Sequence, residues 1–378
     1  MRKIALVILI FGLCMGLCGC SISREVEHQA YALVMGLDRA PDGAIEMTIR
    51  IPKIGSSGEN SGNTREDNPY LVFSARGKSW AEAVEAMRAM VPRQLNMSHL
   101  MLLIVSDTLA SKMGFGQLVN QVAETQHLYT SARVVVCEGR AKDFLDAQKT
   151  IIGTRLSAEI DAMFDHYIAL GIVPDARLAD MYYRNNSIYS DPVAAWGFVV
   201  PVQDAAVQAG LIADPSERRY TLVGAPSEEF YAGAALFRDG VFVQRLSAAE
   251  TQMMNLALGR IKSLTFALGD AASTLTPSAR PIKHIRREKD ALSICLEIEV
   301  SSIDSIDRVQ ARSIEKSLSE SMRALIEKCQ SLQVDPLGFA ECAAVQFATV
   351  REWLDYNWRA HFAAAGVEVR VRLNSAEK

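Results

Sequence analysis

The sequence predicts a multi-domain α+β (mixed α/β) protein, with mixed sheets, packed helices and a leader segment in front. Three observations carry this. Strand and helix signals alternate over residues 30–150, a second alternation begins near residue 230, and an apolar run of 14 residues, Ile4 to Leu17, stands before both. Strands interleaved with helices imply layers in which helices cover sheets.

Glu25 to Ala32 reads as a short helical turn, followed by a strand over Leu33 to Asp38. Pro41-Asp42-Gly43 is a turn signal, and Ile45 to Ile51 alternates apolar and polar as a half-buried strand does, so the two strands form a hairpin. Gly55 to Asn68 is Gly/Ser/Asn-rich and predicts a loop without a phosphate-binding pattern. Tyr70 to Ala75 resumes as a strand. Ser79 caps a helix from Trp80 to about Met90, with Glu82 in its first turn. Ser98 to Ser106 is a continuous apolar strand, the pattern of a strand buried on both faces. Asp107 starts a helical region, Ala132 to Cys137 is a strand, residues 141–149 and 156–170 are helices, and Pro192 to Pro201 is a strand.

The stretch from 205 to 226, with Asp214 to Arg219 and Gly224-Ala225-Pro226, predicts a boundary between domains at 20–205 and 226–378. Beyond it, Phe230 to Phe237 and Val241 to Leu246 form a hairpin through Asp239-Gly240, a favoured two-residue turn. Ser247 and Glu250 make a capping box for the next helix. Lys283 to Lys289 reads as a basic turn, Ala291 to Val300 as a strand, and Ser305 to Cys329 as a long helix with Val309, Ile314, Leu318, Met322, Leu325 and Ile326 in one stripe. Asp335-Pro336-Leu337-Gly338 breaks it. One further helix carries Val345, Val350, Trp353, Leu354, Tyr356 and Trp358, and Val367 to Leu373 closes the chain as a strand.

The leader has the layout of a secretory signal: Arg2-Lys3, a short apolar core and a cut site. Its core is too short to span a bilayer comfortably, which takes about 20 residues. Leu17 at −3 is wrong for ordinary signal peptidase, whereas Leu17-Cys18-Gly19-Cys20 resembles a bacterial lipobox. Residues 1–19 are thus expected to be a lipoprotein signal peptide, with Cys20 lipidated and first in the mature chain. Two or more acyl chains make such anchoring stable, at about 0.8 kcal/mol per buried CH₂.

Removing Arg2 and Lys3 with the leader leaves 38 basic against 44 acidic residues, a mild acidic balance that argues against bulk nucleic-acid binding. Cys137, Cys295, Cys329 and Cys342 could make at most two disulfides, but their spacing shows no compact framework, and small apolar core residues are the favoured reading. The six histidines form no metal-binding spacing. Ser98, His99 and Asp107 could suggest a hydrolase, yet no Gly-x-Ser-x-Gly elbow is present and His99 begins an apolar stretch. Glu25 with Glu27, and Glu228 with Glu229, are carboxylates paired only in sequence, and neighbours so close diverge on a strand or helix. Lys283, His284, Arg286, Arg287 and Lys289 form the basic cluster, which could touch anionic lipid headgroups or a partner, but Glu288 and Asp290 dilute it and a solvated turn is the favoured reading. Trp353 and Trp358 could stack on a carbohydrate, but with Val350 and Leu354 at helical spacing they read as core. No catalytic residue, cofactor or metal is assigned.

The order of these elements resembles the Ger(x)C family, the C-subunit lipoproteins of bacterial spore germinant receptors. The likeness rests on Arg24-Glu25, Gly36-Leu37-Asp38, the segment SHLMLLIVSDTLA from Ser98, AGAALFRDGVFVQRLSAAET from Ala232 to Thr251, Asp335-Pro336-Leu337-Gly338, the two tryptophans and the final strand. It covers nearly the whole mature chain. The family commonly has Trp-Asp after its cysteine, where this chain has Ser21-Ile22. The resemblance implies a non-enzymatic subunit required for nutrient-triggered germination. It implies a lipid anchor on the outer face of the cell membrane, which is the inner membrane of the spore. The implied partners are a transporter-like nutrient-binding subunit and a second integral membrane subunit. Of site residues it transfers only the lipidated Cys20. The alternatives are a solute-binding lipoprotein of a transporter, or an envelope hydrolase.

Overall fold

The computed structural model describes residues 28–53, 69–125, 128–148, 156–199, 229–268, 271–288 and 291–374. The leader, Cys20, Arg24-Glu25, Glu27, the Gly55–Asn68 loop, the boundary at 205–226, Glu228, Lys289 and Asp290 lie outside these residues.

The first half contains β1 (Gln29–Tyr31), β2 (Val34–Arg39), β3 (Ile45–Pro52), β4 (Tyr70–Gly77), α1 (Trp80–Met90), β5 (Gln94–Asn96), β6 (Leu102–Ser106), α2 (Asp107–Ala110), α3 (Phe115–Ala123), β7 (Arg133–Cys137), α4 (Ala141–Ala147), α5 (Leu156–Ala169), α6 (Leu178–Asn185) and β8 (Val193–Val199). The second contains β9 (Glu229–Arg238), β10 (Val241–Leu246), α7 (Ala248–Ala257), β11 (Leu264–Leu268), β12 (Ala271–Pro277), β13 (Ile282–Glu288), β14 (Ala291–Ser302), α8 (Arg308–Leu332), α9 (Phe339–Ala344), α10 (Val350–Asp355), α11 (Trp358–Ala363) and β15 (Gly366–Asn374).

Eight strands make one sheet in the order β10-β9-β8-β7-β6-β2-β3-β4. Its middle four run parallel, and antiparallel strands flank them on both sides. A parallel centre must be covered on both faces, and the alternation of side chains does this. Val34, Leu102, Ile104 and Val135 face α4 and α5, packing with Phe144, Leu145, Ile160 and Phe164. Met35, Leu37, Leu103, Val105, Val134 and Val136 face the opposite layer, with Trp80 and Met87 of α1, Phe115 and Val122 of α3, and Met181 of α6.

The Asp239-Gly240 turn forms as predicted, with φ of 53° and 73°, the pair of positive values that a tight hairpin of this kind needs. Its hairpin pairs with β8 and completes the first sheet, so that sheet is built from residues on both sides of the 205–226 stretch.

The second sheet is organised on β14. Antiparallel β13 and then β12 lie along it, the latter continuing to β11, while β15 runs parallel to it over Ser293–Ser301. The α8 stripe buries as predicted at Ile314, Leu318, Met322, Leu325 and Ile326, against Leu296, Ile298 and Val369, but Val309 is exposed. All four described cysteines are free, with Cys137 and Cys329 buried.

Three expectations are corrected. Lys283 to Glu288 is an edge strand, not a turn, because pairing with β14 satisfies its backbone; its charges keep that edge unattractive to further strands. The expected single helix around the tryptophans is three short ones, interrupted where Thr349 caps α10 and Asn357 takes φ of 50°. His99 lies in an exposed turn, three residues before β6 starts.

The Gly36-Leu37-Asp38 motif has a packing role. Asp38 Oδ1 and Oδ2 accept from Ala141 N and Lys142 N at 2.7 and 2.9 Å, holding the first turn of α4. Gly36 lies against α4, where a methyl group would meet Ala141 Cβ at 3.4 Å, about van der Waals contact. Asp38→Ala leaves two backbone donors unpaired, one buried and one partly buried, and should lower stability by about 2 kcal/mol in urea unfolding. A change below about 0.5 kcal/mol would show that α4 is held in some other way.

Candidate functional site

A cleft of about 280 Å³ opens where the loop after α6, the β9–β10 turn and the C-terminal helices meet. Arg359, on α11, is at its centre. Arg359 Nη2 donates to Asp191 Oδ1 at 2.7 Å and to Asp239 Oδ1 at 3.2 Å. Nη1 donates to Gln333 O at 2.7 Å and to Asp191 Oδ2 at 3.3 Å. One guanidinium therefore joins the loop before β8, the hairpin turn and the end of α8. A planar fork with several donors suits this task, and a lysine could not reproduce it.

The cluster extends inward. Asp191 Oδ2 also accepts from Asp335 N at 2.8 Å. The Asp335 carboxylate accepts from Phe339 N and Ala340 N, at 3.1 and 2.6 Å, and so starts α9. Burial pushes the Asp335 carboxyl up to about 6, although those two backbone donors oppose the rise. Gln333 ends α8 in the left-handed conformation, which turns the chain into Asp335-Pro336-Leu337-Gly338.

Aromatic rings wall the cleft. Trp353 and Trp358 stack 5.6 Å apart, and Trp358 stacks on Phe362 at the same distance. Both tryptophans are buried in the second core, as core residues are. Trp353 Nε1 donates to Ile188 O at 3.2 Å, a further link to the first half. The structure thus brings together three motifs read separately from the sequence: Asp239-Gly240, Asp335 to Gly338, and the tryptophan pair. Sequence reasoning missed Asp191 and Arg359. Their pairing spans 168 residues and leaves no local pattern.

The other candidates separate or become structural. Asp107 opens α2 beyond the far end of β6, so His99 and Asp107 are divided by five strand residues, about 16 Å. The His99 ring packs 4.6 Å from Tyr31 instead. Glu250 completes its capping box with Ser247 and pairs with Lys328 at 2.7 Å, which fastens α7 to α8. The basic cluster divides too. Lys283 reaches Leu337 O, and burial lowers its tendency to hold a proton. Arg287 lies over the Phe347 ring at 4.4 Å, while His284 and Arg286 are exposed. Among the described residues, no group of His, Cys, Asp or Glu side chains could hold a metal ion, and no helix is long and apolar enough to cross a membrane.

Fold and junction together define a two-part α+β protein, of the kind seen in the crystal structure of the GerBC protein. That likeness has a TM-score of 0.52 at 13% identity and covers 91% of this chain and 97% of that one, which speaks for the fold. The chain belongs to the GerAC-like family of spore germination proteins: residues 23–196 match the spore germination protein N-terminal domain, and residues 232–375 the spore germination B3/GerAC-like C-terminal domain. Among similar proteins of Bacillus subtilis (strain 168), spore germination protein A3 is 28% identical over 142 residues, 35% of this chain and 37% of that protein. Spore germination protein KC is 26% identical over 137 residues, 36% of this chain and 34% of that one. YfkR, named there as a candidate spore germination protein, is 22% identical over 370 residues, 92% of this chain and 89% of that one.

Arg359→Met leaves Asp191 buried without its cation. The loss should be about 2–3 kcal/mol in urea unfolding, below the usual figure for a buried pair because Arg359 is partly exposed. Asp335 has a second signature. Folding favours its neutral form, so its contribution to stability is full below about pH 4 and is lost as pH rises through 6. The stability difference between wild type and Asp335→Asn should therefore shift against wild type between about pH 4 and pH 7, and a flat difference would refute this.

Proposed function

We propose that this chain is the lipid-anchored C subunit of a nutrient germinant receptor, required for spore germination in response to nutrients. The observation that carries the reading is the family match in both halves, over residues 23–196 and 232–375. The lipobox-like Leu17-Cys18-Gly19-Cys20 supports the anchor. In this reading Cys20 carries the lipid, and the folded part stands on the outer face of the cell membrane, the inner membrane of the spore. It assembles there with a transporter-like nutrient-binding subunit and a second integral subunit. Tethering confines it to the membrane surface and raises its effective concentration toward those partners. Its role is assembly rather than turnover. The separation of Ser98 and His99 from Asp107 by the length of β6 speaks against the hydrolase alternative.

The test is germination of Cys20→Ala spores, with abundance and membrane fractionation followed in parallel. Loss of the response to one class of nutrient, with non-nutrient triggers still effective and the protein released from the membrane, is the expected result. Normal germination with an abundant, released protein would overturn the anchored-subunit reading and favour the solute-binding alternative. A variant that stays membrane-bound would overturn the lipobox assignment.

A further inference from the structure

Strand β4 ends the eight-stranded sheet, and among the described residues no further strand lies beside it. The groups it turns to solvent follow from the ladder. Lys53 N donates to Pro69 O at 2.8 Å, a hydrogen-bonded pair in the same register as β3 and β4. Antiparallel pairs alternate, so Leu71, Phe73 and Ala75 bond to β3, while Val72, Ser74 and Arg76 turn their backbone N–H and C=O outward. The 2.9 Å approach of Thr48 Oγ1 and Ser74 Oγ fits this phase, because side chains come closer in the non-hydrogen-bonded pairs.

A bare edge is a template for another strand, and proteins guard their edges with charges, bulges or short strands. The other edges of the two large sheets are guarded in this way. The register of β10 shifts between Phe242 and Gln244. Cations line β13, β15 alternates through Glu368, Arg370 and Arg372, and β11 has only five residues. None of these devices is present in β4. Its register against β3 is unbroken from Tyr70 to Gly77, and it contains no proline or lysine. Its one charge, Arg76, is paired with Glu46 at 2.7 Å. Leu71 and Val72, on opposite faces of the strand, are 43% and 36% exposed.

An edge of this kind takes an extended strand, and the sequence of β4 complements itself. We propose that β4 pairs antiparallel with β4 of a second copy of this chain, about a two-fold axis at Phe73. Val72 and Ser74 then exchange their outward backbone hydrogen bonds with Ser74 and Val72 of the second copy. Phe73 stands opposite its own counterpart, an aromatic cross-strand pair that favours this register over its neighbours. On the same face Leu71 meets Ala75, and on the other Tyr70 meets Arg76, so no like charges oppose each other. The pairing covers both exposed apolar side chains, and a two-fold interface closes after two copies. The proposal goes beyond the receptor-subunit reading and does not depend on it.

The test combines sedimentation of the full chain in detergent with disulfide trapping. The unaltered chain should show a reversible dimer. Phe73→Cys should form a disulfide between the two substituted positions under mild oxidation, because their Cα atoms stand about 4.5 Å apart. Leu71→Cys should not, because its counterpart lies four residues along the strand, about 13 Å away. Peptide mass spectrometry separates this bond from any made by the native cysteines. Val72→Pro removes an outward N–H that β3 does not use, and should weaken the dimer about tenfold or more with little change in the urea midpoint. Trapping decides the matter even where Val72→Pro unfolds the chain. A monomer at every concentration, equal trapping at the two positions, or a folded Val72→Pro chain that dimerises normally would overturn the proposal. Trapping of Phe73→Cys only onto a different protein would assign the edge to that partner and overturn it as well. Germination is not a readout here, so this proposal can fail while the receptor-subunit reading stands.

Discussion

The antiparallel ladder between β8 and β9 is the constraint on which the rest of the structure depends. It joins Val193–Val199 to Glu229–Leu236 and brings the chain back to the sheet it had left. Once β9 is in place, β10 follows through the tight Asp239-Gly240 turn, and Ser247 starts α7 immediately after the strand ends. The second half is therefore built outward from the edge of the first. The polar groups of α7 reinforce this, as Asn255 Nδ2 donates to Gly171 O and Val173 O at 2.8 and 2.9 Å, and Gln252 Nε2 to Leu170 O at 2.9 Å. Buried amides of this kind hold one orientation, because any other would leave the backbone carbonyls unsatisfied.

Arg359 acts at the opposite side of the same junction. A buried carboxylate such as Asp191 needs a counter-charge and enough donors to replace water. Arg359 and the backbone N–H of Asp335 supply them, and Arg359 also donates to the carbonyl of Gln333 and the carboxylate of Asp239. The β-ladder and the ion-pair cluster together leave little room for the halves to hinge.

Much of this architecture was legible in the chain. Turn chemistry placed the β9–β10 hairpin, because only residues that accept positive φ fit there. Reciprocal capping placed the start of α7, and the 3.6-residue stripe placed α8. The elements that could not be read depend on distant partners. Lys283 to Glu288 carries little strand propensity of its own and becomes a strand because β14 lies beside it. The helical region around the tryptophans divides because the aromatic cluster and the Asn357 turn shape it, while its apolar spacing suits one continuous helix. The family motifs could be seen in the sequence, yet their work could not. Asp38 holds the first turn of α4, and Asp335 starts α9, in contacts that no local pattern announces.

The sequence by itself determined the periodicities, caps and turns, because each depends on residues a few positions apart. Only the tertiary structure decided that the hairpin after residue 228 belongs to the first sheet. It alone decided that Asp191, Asp239, Asp335 and Arg359 share one site, and that Trp358 and Ser190 keep polar atoms unpaired within it. The physical reason is that hydrogen bonds and desolvated charges act through space. Pairings across more than a hundred residues are set by how sheets and helices pack, and an alternation of apolar residues carries no record of them.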